Sequence, residues 1–291
     1  MAIGRIVPLT VALSMLLAVH SAAQRPADAQ GRAPGSARAA AVDDYTGYWV
    51  SEVTEKWRFR MLVPDKNDYI QVPLNPEGRR VAALWDPAKD EASGEACRSY
   101  GAAALLQVPG RLHITWQDDN TLRLDTDSGT QTRLFRFAPP QGQGVSSESK
   151  AGGSPPSTEK PSWQGYSVAE WGGDEPRDRR DGQGGPVQDK EGRLVVDRAQ
   201  QKQADYLRVV TTRMRPGYLQ KNGVPYSANA VVEEYFDVLS DPYTKNTWLV
   251  VTTMVSDPQY LVEPLIMHAH FKKLPDASGW DPTPCRANEP R

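Results

Sequence analysis

The chain has 291 residues, with 34 Lys and Arg against 36 Asp and Glu, and a formal net charge of −2. That balance excludes the strongly basic surface that nucleic acid or anionic lipid would call for. Hydrophobic residues make up 39% of the chain, enough for a sizeable core, while 24 Pro and 23 Gly divide it into short elements.

Residues 1–23 carry the three-part pattern of a secretory signal peptide. Arg5 is the positive start, residues 6–19 are apolar, and Ser21-Ala22-Ala23 offers small residues before Gln24. The apolar run is shorter than the roughly 20 residues that span a bilayer. It therefore reads as a cleaved leader, and the protein as periplasmic or secreted. No later segment has the length and apolarity of a spanning helix. Two cysteines remain, Cys97 and Cys285. In an oxidising compartment two thiols pair without remainder, the alternative being two buried free thiols. A bridge over so long a loop contributes roughly 4–5 kcal/mol in the chain-entropy model. Neither cysteine has a second Cys or a His at metal-ligand spacing.

Residues 24–42 are rich in Ala, Arg, Gly and Pro and read as a disordered tether. Residues 44–53, with Gly47-Tyr48-Trp49-Val50 at their centre, form the first expected strand. Residues 57–63 alternate apolar and basic side chains, which predicts a half-buried strand, and 69–72 predict a short one. A helical excursion follows near 76–93. Asn75 and Asp86 are caps, Pro76 and Pro87 sit at first helical positions, and Val81, Leu84 and Trp85 share one face. Residues 103–108 predict another strand. Three alternating runs at 112–116, 121–125 and 131–137, separated by Asp118-Asp119-Asn120 and Asp127-Ser128-Gly129, predict an antiparallel meander. Residues 139–161 read as a disordered linker and 172–205 as a polar insertion. Between and after them, strands are expected at 163–171, 207–214, 231–236, 247–255 and 266–272, with turns at 215–218 and 222–225. Residues 276–291 form a C-terminal tail.

Roughly ten short strands with one helical excursion predict a mainly β fold, a single antiparallel barrel-like or sandwich domain over residues 43–275. Gly47-Tyr48-Trp49 behind its leader resembles the Gly-x-Trp start of lipocalin-like barrels, which implies a lipocalin-like barrel with Trp49 packed across its closed end. Several blocks together resemble a family of exported, uncharacterised bacterial proteins. They are Gly47–Trp49, residues 107–112, residues 163–171, Gly223-Val224-Pro225-Tyr226-Ser227 with Glu233-Glu234-Tyr235-Phe236, and Asp257-Pro258-Gln259-Tyr260. That resemblance implies no activity.

Reaction motifs are weak. Gly165-Tyr166-Ser167-Val168-Ala169 lacks the second glycine and the following helix of a nucleophile elbow. His268 and His270 share one face of a strand, and with His113 from a neighbouring strand would form a candidate metal set. The other reading is ordinary hydrogen bonding on a polar face. Of eight tryptophans, six fall on expected strands. Their rings are either core or the lining of an apolar pocket, for which Trp116, Tyr166, Trp171, Tyr226 and Trp248 are the candidate ligand-binding residues. The leading expectation is a binding module for a small apolar or amphipathic ligand, without a cofactor. The alternatives are an envelope structural or interaction protein and, third, a metal-assisted enzyme. Oligomeric state is not readable.

Overall fold

A computed structural model describes residues 35–41, 43–138, 160–172 and 206–291. Its strands are β1 (Gly47–Glu52), β2 (Arg111–Asp118), β3 (Thr121–Thr126), β4 (Thr132–Phe137), β5 (Tyr166–Gly172), β6 (Tyr206–Thr212), β7 (Gly217–Gln220), β8 (Val224–Tyr226), β9 (Val231–Ser240), β10 (Thr247–Ser256) and β11 (Leu265–Leu274). Nine of them close into a barrel in the order β1-β11-β10-β9-β6-β5-β4-β3-β2, and β7 and β8 form a separate hairpin. The barrel alternative therefore holds over the sandwich. The leader, the linker interior and most of the polar insertion lie outside the described residues.

Alternation of side chains writes the barrel. In β6, Leu207, Val209 and Thr211 are buried while their neighbours are half-exposed, and Leu122, Leu124 and Thr126 do the same in β3. Closure rests on β1, where Tyr48 pairs with His113 of β2 on one side and with Leu274 of β11 on the other. Neighbouring barrel strands are antiparallel except β4 and β5, which run parallel with Phe135 opposite Ser167.

An apolar cluster fills one half of the barrel. Trp49 is fully buried in it, and its indole Nε1 donates to the Tyr45 carbonyl at 3.0 Å. Tyr45 in turn donates its hydroxyl to the Phe236 carbonyl at 3.2 Å. Part of the expected tether plugs this end. Ser36 caps the helix α1 (Ala37–Ala40), Ala37 packs into the cluster, and its carbonyl accepts from Trp171 Nε1 at 2.9 Å. The Asn120 side chain of the β2–β3 turn accepts from Ala37 N at 2.9 Å, so these residues are ordered because the open end of the barrel supplies partners.

A second apolar cluster covers the other end. It joins inward residues such as Val232, Val255 and Met267 to α3 (Pro76–Ala82), the β7–β8 hairpin and Leu261. Between the two clusters lies a polar layer. Arg133 of β4 pairs with Glu234 of β9 through both terminal guanidinium nitrogens, one contact being 2.9 Å, and both side chains are fully buried. Arg133 Nη2 also donates to Thr211 Oγ1 at 3.1 Å, which shares a 2.7 Å hydrogen bond with Ser167. The bidentate geometry satisfies charges that would otherwise be prohibitively expensive inside a barrel.

Three expected strands are not strands. Residues 57–63 instead contain the short helix α2 (Trp57–Arg60), entered through Lys56 at φ 50°. Residues 69–72 form turns, and Leu74 makes only an isolated bridge to Leu261. Residues 103–108 hold a 3-10 turn at Leu105–Gln107. The common cause is closure: β1 and β2 already have both edges paired, so the intervening chain finds no strand to join. Conversely, the turns expected at 215–218 and 222–225 contain strand residues of the β7–β8 hairpin, Gly217 and Tyr218 in β7 and Val224 and Pro225 in β8, and the turn itself is at 221–223. The helical excursion appears as expected, as α3 and α4 (Pro87–Ala92), with Asn75 Oδ1 accepting from Gly78 N and Asp86 Oδ1 from Lys89 N.

Cys97 and Cys285 form a disulfide with their Cα atoms 5.1 Å apart. It fastens the tail to the 3-10 turn Ala96–Tyr100, and Arg291 Nη2 adds a 2.9 Å ion pair to the buried Asp127. No helix among the described residues is long and apolar enough to cross a membrane.

Removing one partner of the central ion pair leaves the other charged and unpaired in the core. We expect Arg133→Met to lower unfolding free energy by about 3–5 kcal/mol, and Arg133→Met with Glu234→Leu to recover most of that loss. Urea unfolding of the two variants and the parent measures both.

Candidate functional site

The aromatic residues expected to line an internal pocket go to different places. Trp116 and Trp171 pack against the first cluster with Phe137, whose ring lies 5.8 Å and 4.8 Å from theirs. Tyr166 lies outside the wall under the Arg136 guanidinium, 4.6 Å from its carbon. Trp248 is half-buried at an outward position of β10. Tyr226 borders a cleft, and that cleft is outside the barrel.

The histidines do not converge either. His113 and His270 are two strands apart across β1, at register positions Tyr48 and Glu52. Four residues along a strand is about 13 Å, far beyond the span of one coordination sphere. His113 stacks on Tyr48 with ring centroids 4.1 Å apart. His268 and His270 do share the outer face of β11, but their ring nitrogens meet Thr252 at 3.2 Å and Thr54 at 2.7 Å. Among the described residues there is no group of three or more His, Cys, Asp or Glu able to hold a metal ion.

The cleft is about 310 Å³, between the helical excursion and the β7–β8 hairpin. Its apolar wall is the helix face read from sequence, Val81, Leu84 and Trp85, facing Pro225 and Tyr260. Leu84 stays 69% exposed, so apolar surface remains uncovered there. Trp85 can approach because residue 223 is Gly: it has φ +83°, and a Cβ there would fall 2.2 Å from the Trp85 Cβ.

The opposite wall is polar and internally paired. Tyr218 donates its hydroxyl to Asp90 Oδ2 at 2.9 Å and accepts from Arg98 Nη1 at 3.0 Å. Arg98 Nη1 also donates to Asp90 Oδ1 at 3.0 Å, and Glu95 accepts from Arg215 at 2.7 Å. Burial pushes the Asp90 carboxyl above its ordinary range, against the hydrogen bond from Tyr218 and the charge of Arg98. These groups offer hydrogen bonds with their charges neutralised among themselves, an arrangement suited to a neutral hydroxyl or amide. At the base, the Tyr226 hydroxyl is buried without a partner, pressed close to Gly101 and Gly217. Burial raises its pKa far above the usual tyrosine value.

Lys221, in the turn between β7 and β8, gives no sign of burial in the sequence, where it precedes Asn222-Gly223 like any solvated turn residue. It is only 6% exposed. Its Nζ donates to Tyr100 Oη at 2.5 Å and to the Arg286 carbonyl at 3.1 Å. Burial pulls its pKa down to about 7 despite the favourable charges of Glu289 and Glu91. No family model, curated protein or solved structure matches the chain.

Two outcomes are expected. Tyr226→Phe removes an unpartnered buried hydroxyl, so stability should hold or rise, by up to about 1–3 kcal/mol in chemical denaturation. Lys221 has its folded pKa of about 7 below the unfolded value near 10.4. Between them the unfolded chain binds the extra proton, so stability should climb as pH rises through that window. The buried tyrosines act in the opposite sense only above about pH 10, where they ionise in the unfolded chain. The urea midpoint should thus rise between about pH 7 and 9.5, and Lys221→Met should flatten that rise.

Proposed function

We propose that the protein is an exported binding module that holds a small, neutral, amphipathic ligand in the cleft beside its barrel. The observation that carries this reading is the cleft's division into an uncovered apolar wall at Leu84, Trp85 and Tyr260 and a paired polar wall at Asp90, Arg98 and Tyr218. Its volume of about 310 Å³ suits a ligand of modest size. The signal-peptide pattern and the disulfide agree with work in an oxidising compartment. The barrel serves as the rigid base on which the cleft is mounted.

A second reading, an envelope interaction protein, draws on the exposed apolar side chains Trp57, Ile70 and Val262, which are 62–79% exposed.

The test is fluorescence titration of the full chain with N-phenyl-1-naphthylamine, a neutral apolar probe, beside native mass spectrometry of the purified protein. Saturable binding at one site is expected, weakened at least about tenfold by Trp85→Ala, the loss of a large apolar contact. Trp116→Ala should leave the affinity within about twofold, since Trp116 packs inside the barrel. No saturable binding, together with no non-covalent mass in the native spectrum, would overturn the reading and favour the interaction protein. Loss with Trp116→Ala and not Trp85→Ala would move the site into the barrel.

A further inference from the structure

A second cavity, separate from the cleft, has a different chemistry. It is a crevice of about 20 Å³ under the C-terminal tail, room for one water-sized group. Arg60, the last residue of α2, and Lys221 both border it, with Gln107, Gln220 and Pro290 around them, and no carboxylate is among its walls.

Arg60 is 4% exposed. Its Nε donates to the Gln107 carbonyl at 2.9 Å. Its two terminal nitrogens, carrying four N–H groups, are buried without a partner. Glu55 is the acid that acts on this guanidinium, and it acts through space: among the described residues no carboxylate oxygen stands within the 4.0 Å of an ion pair with Arg60. The Lys56 ammonium lies on the same segment and Lys221 on the other wall; Glu55 acts on Arg60, and Glu91 and Glu289 act on Lys221, through space, and none of these carboxylates borders the crevice itself. A buried guanidinium with four idle donors is among the costliest arrangements a core can hold, unless an acceptor completes it. The amide of Gln220, whose Oε1 is buried without a partner in the same crevice, can turn its NH2 toward such an acceptor.

We propose that the Arg60–Lys221 crevice is a binding site for a small inorganic anion of halide size. An anion there accepts from Arg60 Nη1 and Nη2, which have no acceptor among the described residues, and lies across the crevice from Lys221. A space for one water-sized group favours a monatomic anion over a polyatomic one such as sulfate. Because Pro290 forms one wall and the tail is tied down by Cys285, the anion sits beneath a covalently fastened cover. Bound anion also favours the charged form of Lys221 and so raises its pKa from about 7.

The experiment uses the full chain at one ionic strength and pH, in sodium chloride, sodium bromide or sodium gluconate. Occupancy of a site present only in the folded state raises the melting temperature. Chloride and bromide should exceed gluconate by about 2–4 °C or more at saturation, and Arg60→Gln should abolish that difference. Crystals grown in bromide should show an anomalous peak within hydrogen-bond reach of the Arg60 guanidinium, which decides the matter even where Arg60→Gln does not fold. Equal melting temperatures in halide and gluconate, or bromide peaks only elsewhere with a water beside Arg60, would overturn the proposal.

Discussion

The double pairing of β1 is the constraint on which everything else depends. Five residues of that strand face β11, and four face β2. Without both ladders the sheet keeps two raw edges and its inward side chains have no opposite wall. With them, Trp49 is enclosed on all sides, and the 58 or so residues between β1 and β2 are shut out of the sheet. Those excluded residues make α2, α3 and α4, join the β7–β8 hairpin in covering one end of the ring, and form one side of the cleft.

The barrel is a filled object in the described residues. Aromatic rings and aliphatic side chains occupy one half, a second apolar cluster the other, and the Arg133–Glu234 pair crosses between them. A buried ion pair contributes little net stability compared with apolar packing, but it fixes which strands face each other, since β4 and β9 are linked by bidentate geometry that tolerates no slip. The larger cleft accordingly sits in the covering layer. There the helix face and the hairpin meet across sequence separations of 120 and 128 residues, through Arg98–Tyr218 and Asp90–Tyr218.

Local chemistry made part of this legible from the sequence. The β2–β3–β4 meander announced itself through alternation and through turn residues at Asp119-Asn120 and Gly129. The caps Asn75 and Asp86 with their following prolines placed both helices, and the apolar face Val81, Leu84 and Trp85 is the one that lines the cleft. What failed was information that only the partner holds. Residues 57–63 alternate like a strand, but alternation says that one face is buried and says nothing of a free edge to join. Arg133 and Lys221 look like surface residues until Glu234 and Tyr100 are in place beside them. The candidate histidines shared a face as expected in β11, yet the register of β1 keeps His113 away from them.

The position of β11 in the chain also sets an order of events. A chain delivered amino-terminus first presents β1 and β2 early, but the other partner of β1, residues 270–274, comes last among the strands. Until then the growing sheet is open, with the outer edge of β1 unpaired, and pairings of such long sequence separation form slowly. Cys285 follows β11, so the bridge to Cys97 locks a ring that has already closed. A nascent or truncated chain ending before residue 265 therefore holds an open sheet rather than a smaller barrel, and depends on whatever shields its edges in the interval.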